Sequence, residues 1–190
     1  LLPEYGYTPS PLEDPAVEIV STLFQSDKDQ ITVDNKLYNV ASLAADTNYL
    51  KIVPIPILKT SRNKLLENPQ DAIISEDLSR LVFGKEDPIG QQITTSMGKI
   101  VTVVAVMGKP NTRFSMPFDL LISNESVNYR KYSMPHSLVK LHKGHSAASV
   151  NKEYEAFRKM SNFTNRLRIC FYPLQKLYFD QQVVTYLDKR

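Results

Sequence analysis

The chain has 190 residues, 42 % of them hydrophobic and 23 % charged, with a net charge of +3. This is ordinary globular composition, enough for one domain or two small ones and too apolar for wholesale disorder. A single cysteine, Cys170, excludes an internal disulfide and a Cys-based zinc site, and no apolar run approaches the roughly 18 residues that cross a bilayer.

Residues 1–16 form a proline-rich lead with Pro3, Pro9, Pro11 and Pro15, expected to be extended. The chain opens Leu1-Leu2-Pro3 without an initiator methionine or a basic-then-apolar signal, so it is expected to be processed or cut from something larger. The apolar stretch 17–24 is too short for periodicity to decide between helix and strand. Two β-type runs, 31–33 and 37–40, flank Asp34-Asn35-Lys36, residues that tolerate positive φ, and predict a hairpin. Asp46 is placed to cap a short helix over 48–53 that Pro54 stops.

The most informative local pattern starts at Ala72. An apolar strand (72–74) meets Ser75 at a helix N-cap position, and Glu76 and Asp77 follow where negative charge suits the helix dipole. Leu78, Leu81 and Val82 fall at i, i+3 and i+4 and predict one apolar stripe. Gly84 ends the helix, and 85–90 is a tight loop. A second hairpin is predicted from 92–95 and 99–107 around Ser96-Met97-Gly98, followed by a strand over 118–122. Ser146 or Ser149 can cap a helix that places Val150, Tyr154 and Phe157 on one face, and 167–172 is strand-like up to Pro173. The order of elements is an α+β plan.

Charge is uneven along the chain. Residues 1–125 hold 11 Lys+Arg against 16 Asp+Glu, and residues 126–190 hold 12 against 4. A basic half raises nucleic acid or an anionic membrane surface as partners, but no nucleic-acid motif accompanies it and solvated lysines and arginines account for it more simply. No phosphate-binding glycine loop is present, since Gly84-Lys85 lacks both the earlier glycine and the hydroxyl residue. His136, His142 and His145 are the only histidines, and no carboxylate or third ligand accompanies the last two. Cys170 reads as packing, and the pairs Glu76-Asp77 and Glu86-Asp87 read as helix-start and turn chemistry rather than an acid/base pair. No catalytic group, cofactor site or metal site is expected.

The string AIISEDLSRLVFGKEDPIG at 72–90 resembles a recurring segment of the MacB-like periplasmic core domain, the extracytoplasmic part of FtsX-related ABC transporter permeases. The shared elements are Ser75-Glu76, Phe83-Gly84, the acidic turn through Asp87-Pro88-Ile89-Gly90 and a valine-rich return strand. ADTNYLKIVPIPIL at 45–58, Phe118-Asp119 and Phe171-Tyr172-Pro173-Leu174 resemble further segments in family order, over 17–178 in all. Departures are Val53 where an aromatic is usual, Lys59-Thr60 in place of Lys-Gly, and a missing first strand.

The resemblance implies a mixed α/β, porter-like subdomain from 17–66 and 134–190 with a β-rich insertion at 67–133. Ser75, Glu76, Phe83, Gly84, Asp87, Pro88 and Gly90 would be structural. It implies a noncatalytic domain on the periplasmic face of the bacterial inner membrane that couples cytoplasmic ATP hydrolysis to movement outside the membrane for export or efflux. The implied partners are a cognate ABC ATPase and a second permease half, reached through flanking membrane helices, with a periplasmic adaptor or substrate protein outside and no nucleic acid. The alternative is a periplasmic module that binds protein, peptide or lipoprotein.

Overall fold

The computed structural model describes residues 14–109, 117–126, 136–160 and 171–173. The chain divides into two compact units, 1–19 with 139–190 and 20–138. None of the described helices is long and apolar enough to cross a membrane.

In the larger unit, β1 (Val17–Val33) and β2 (Lys36–Ala45) make the predicted hairpin. Its turn is Asp34-Asn35, both at positive φ (48° and 61°), the backbone of a two-residue turn that matches strand twist. The undecided stretch 17–24 is strand, because Leu23 and Phe24 pair with Ala45 and Ala44 of β2. A bulge between Ser26 and Asp29 re-aims β1. Beyond it the buried Asp29 carboxylate accepts the hydroxyls of Ser42 (2.6 Å) and Ser96 and the Gln30 N–H (2.8 Å). A charge in the interior persists only when satisfied in this way.

The remaining strands are β3 (Ile57–Thr60), β4 (Asp71–Ser75), β5 (Gln92–Thr95), β6 (Ile100–Met107) and β7 (Leu120–Ser123). Their pairing closes on itself. The order β2-β7-β4-β6-β5-β1 returns to β2 through the β1–β2 hairpin, while β3 pairs with β6. The β2–β7 and β4–β6 pairs are parallel and the other pairs of this ring are antiparallel. β4 and β7 are paired on both edges and buried on both faces, which is why each is a nearly unbroken apolar run.

Strand alternation sorts the core into two clusters. One takes residues from all six ring strands, among them Phe24, Val40, Ile74, Ile93, Val103 and Leu120, with Leu78 of the helix that follows β4. The other takes the opposite face, including Leu43, Ile73 and Leu121, and is covered by Tyr49, Val53 and Leu66. In β6 the alternation changes phase at Val104, where Ala72–Ile73 of β4 face Val103 and Ala105. The carbonyl of this bulged residue accepts the Ser61 N–H (3.0 Å) and so keeps a partner outside the ladder. Helix α1 (Tyr49–Ile52) is anchored by Asp46, whose carboxylate takes the N–H groups of Asn48 and Thr22 (both 2.9 Å).

Strand β8 (His136–Leu141), whose residues from Val139 on belong to the smaller unit, pairs with β1. Glu18 pairs with Lys140 (2.6 Å), and the His142 N–H donates to the Ala16 carbonyl (2.9 Å). Helix α3 (Ala147–Met160) starts with a reciprocal cap in which the Ser149 N–H donates to Ser146 Oγ and the Ser146 N–H to Ser149 Oγ. Val150 is buried, and the Asn151 amide holds both backbone groups of Phe171 (2.8 and 2.7 Å). The side chains of Tyr154 and Phe157, Cys170, and the lead through residue 13 lie outside the described residues. The architecture is α+β.

Candidate functional site

The motif at 71–90 forms a strand, a helix and a turn over one cluster of the ring. Ser75 caps α2 (Glu76–Phe83) by accepting the Leu78 N–H (3.0 Å). Its backbone N–H donates to the Asp119 carbonyl (2.8 Å) and its hydroxyl to Asp119 Oδ1 (3.3 Å). The Asp119 N–H donates in turn to the Ala41 carbonyl (2.8 Å), so the cap ties α2 to the strands on either side of it. Glu76 pairs with Arg80 one turn on, and Asp77 with Lys109 (3.3 Å).

The buried stripe differs from the expected one. Leu78 is buried and Val82 and Phe83 pack on the ring cluster, whereas Leu81 is 65 % exposed. On this two-turn helix Leu81 sits about 60° around the axis from Leu78, enough to clear the ring.

Gly84 ends α2 at φ 62° and ψ −110°, with its N–H on the Arg80 carbonyl (3.0 Å). Asp87 makes the turn by accepting the Ile89 N–H (3.0 Å) and the Lys59 ammonium (2.6 Å). Pro88 is buried behind it. Gly90, at φ 85°, donates its N–H to the Val103 carbonyl (2.8 Å), which starts the pairing of this turn with β6. The seven motif residues therefore lie in one continuous stretch, where their polar atoms make caps and turns.

Two predictions follow from these bonds. Ser75→Ala removes the cap and is expected to cost about 1 kcal/mol in urea unfolding. Gly84→Ala meets nothing within 4 Å, so its expected cost of about 1–3 kcal/mol is backbone strain alone.

The Lys59 hydrogen bond, and next the Ile89 N–H, hold the Asp87 carboxyl below the usual carboxylate range. A lowered folded pKa means this contact contributes fully above the unfolded value near pH 4 and is lost as pH falls through the folded value. A carboxyl-shift titration is expected to show Asp87 titrating low in the parent and higher in Lys59→Met, where only the Ile89 N–H still holds it down. Equal midpoints would show that the pair does not form in solution.

Several pairings carry no sequence signal, because the partners are distant in the chain. Asp119 meets Ser75 and Lys59 meets Asp87. Arg62 reaches the buried carboxylate of Asp71 (2.7 Å) across a loop. Tyr49 is fully buried against the Phe118 ring edge (6.1 Å between centroids), and its hydroxyl has no partner among the described residues. Burial pushes that phenol far above its usual pKa.

His142 and His145 follow β8 and are exposed, and the described residues contain no group of three or more His, Cys, Asp or Glu able to hold a metal. The charge imbalance along the chain does not separate the units. The stretches 1–19 and 139–190 hold 10 Lys+Arg against 8 Asp+Glu, and 20–138 holds 13 against 12.

The family model for the MacB-like periplasmic core domain matches residues 6–157. The chain belongs to this family. Among solved structures, this MacB-like domain is similar to a domain assigned to a permease from Porphyromonas gingivalis, with TM-score 0.60, 20 % identity, and 88 % of this chain and 85 % of that chain covered. It is similar to the periplasmic region of MacB from Actinobacillus actinomycetemcomitans (TM-score 0.61, 14 % identity, 79 % and 70 % covered). It is also similar to the extracellular domain of the noncanonic ABC-type transporter YknZ from Gram-positive bacteria (TM-score 0.58, 15 % identity, 79 % of each chain). At these identities the structural likeness establishes a shared fold. No curated protein matches the chain.

Proposed function

We propose that this MacB-like domain stands on the periplasmic face of a bacterial inner membrane as a noncatalytic part of an ABC transporter permease. There it converts movements driven by a separate ATPase into a change of arrangement outside the membrane, for export or efflux. The observation that carries this reading is the family match over 6–157, and the permease and transporter domains that share the fold support it. A two-state, rigid-body response suits such a role. The ring contributes a stiff body, because each of its strands is bonded on both edges. The division into an α/β subdomain from 17–66 with 134–190 and an inserted β-rich subdomain at 67–133 is part of the proposal. So are the second permease half and an adaptor or substrate protein as partners.

Thiol labelling of the full-length protein in intact cells tests the location. With Cys170→Ser as background, Lys64→Cys, on an exposed side chain, is expected to react with a membrane-impermeant maleimide without lysis. Reaction only after lysis would refute a periplasmic position.

Direct capture of a protein, peptide or lipoprotein is the second reading. It draws on Leu58 and Leu81, both exposed, whose elements are linked to the same turn and helix by Lys59–Asp87 and Lys109–Asp77. Loss of cargo co-purification in Leu58→Ser/Leu81→Ser with transport otherwise intact would favour this reading.

A further inference from the structure

Among the described residues, Leu66 is the one with positive φ (63°) that is neither glycine nor a short polar residue. It sits in loop 61–70 between β3 and β4, with its side chain buried in the outer cluster. Leucine avoids this backbone conformation because Cβ crowds the following carbonyl. The same cluster contains Tyr49, whose buried hydroxyl has no partner among the described residues, a second unfavourable feature of the closed form.

The ends of the loop are fastened. Ser61 donates its N–H to the Val104 carbonyl, Gln70 accepts from the Thr102 N–H (2.7 Å), and the Ser126 hydroxyl holds the Pro69 carbonyl. Between them the loop is closed by Arg62 Nη1 on Asp71 Oδ1 (2.7 Å), with Asp71 Oδ2 also accepting the Asn68 N–H (3.3 Å). The Asp71 side chain is 2 % exposed and that of Arg62 is 43 % exposed, so the latch is accessible from the solvent side.

We propose that residues 62–67 form a latched plug, which swings out as a unit, withdraws Leu66 and admits water to the outer cluster as far as the Tyr49 hydroxyl, while the ring stays folded. The strain at Leu66 and the unsatisfied hydroxyl both belong to the closed form and are both relieved on opening. Burial of the leucine side chain and the Arg62–Asp71 latch act in the other direction. Strained residues persist only where their surroundings hold them, and segments poised in this way are the ones that open locally. The inference stands on these contacts alone and does not depend on the transport reading.

Thiol exchange in the full 190-residue chain, with Cys170→Ser as background, tests it. The thiol of Leu66→Cys is expected to react with a disulfide reagent at least about 100-fold faster than that of Ile73→Cys, which is reached only by global unfolding. Adding Arg62→Gln is expected to speed the first reaction about tenfold, equivalent to 1.4 kcal/mol, and adding Tyr49→Phe to slow it. Equal rates for the two thiols, or an Arg62→Gln rate equal to its parent, would overturn the proposal. Should Leu66→Cys not fold, nitration of Tyr49 in the unaltered chain carries the test. Modification faster than global unfolding supports the plug, and modification at the global rate refutes it.

Discussion

Ile74→Ala is expected to lower the unfolding free energy by about 2–5 kcal/mol. Ile74 is fully buried on β4, paired with Leu120 on one side and Val106 on the other, in the cluster that all six ring strands enter. A closed ring has no free edge along which the sheet can shift to fill a void, so the lost contacts are not recovered. Leu81→Ala, on the exposed side of α2, is the matched control and should change stability by less than about 0.5 kcal/mol. Urea unfolding of the two variants measures the difference. A cost below about 1 kcal/mol for Ile74→Ala would mean that the ring interior is not packed as described.

The second large effect is expected at Arg62. The Asp71 carboxylate is buried and Arg62 supplies its charged partner, so Arg62→Ala leaves an ion in the interior short of a charge-assisted hydrogen bond. The expected cost is about 2–3 kcal/mol. Lys64→Ala removes an exposed pair with Glu67 three residues away and should cost between about 0 and 1 kcal/mol. Because Lys64 and Arg62 share one loop, comparing them separates the burial of the partner from the loop's own sensitivity. Equal costs would show that the Asp71 carboxylate is solvated in solution.

Local structure was legible wherever short-range chemistry decides it. Asp34-Asn35 announces its turn, Ser75 its cap and Gly84 its stop, because each acts on backbone within a few residues. The run 72–74 was read correctly as strand, since a doubly buried strand is a continuous apolar run. The 17–24 stretch could not be decided, because what makes it β is pairing with strands distant in the chain, β2 at Leu23 and Phe24 and β8 at its start. The closure of the ring was equally hidden. It depends on β1 meeting both β2 and β5, and nothing in residues 17–33 names a second partner.

The stripe on α2 shows the limit of periodicity. Leu81 satisfies the spacing, but this eight-residue helix buries Leu78 and packs Val82 and Phe83 on the ring, leaving Leu81 outside. In the candidate site, the motif residues and Phe118-Asp119 were visible, whereas the pairings of Asp119 with Ser75, Lys59 with Asp87 and Arg62 with Asp71 were not, since each forms through the fold. The family resemblance carried in those motifs agrees with the match over 6–157. The compact units, 1–19 with 139–190 and 20–138, describe packing. The division into a subdomain from 17–66 with 134–190 and a β-rich insertion at 67–133 stays a proposal.

The claim that this domain transmits motion is tested most directly by a distance between its units in the working transporter. In a Cys170→Ser background, spin labels at Ser146→Cys in the smaller unit and Lys36→Cys in the larger one, both exposed positions, report that distance by double electron–electron resonance. In the full-length permease with its ATPase, the distribution is expected to shift between the nucleotide-free and ATP-trapped states. A distribution that stays the same across the ATPase cycle while transport proceeds would contradict the account.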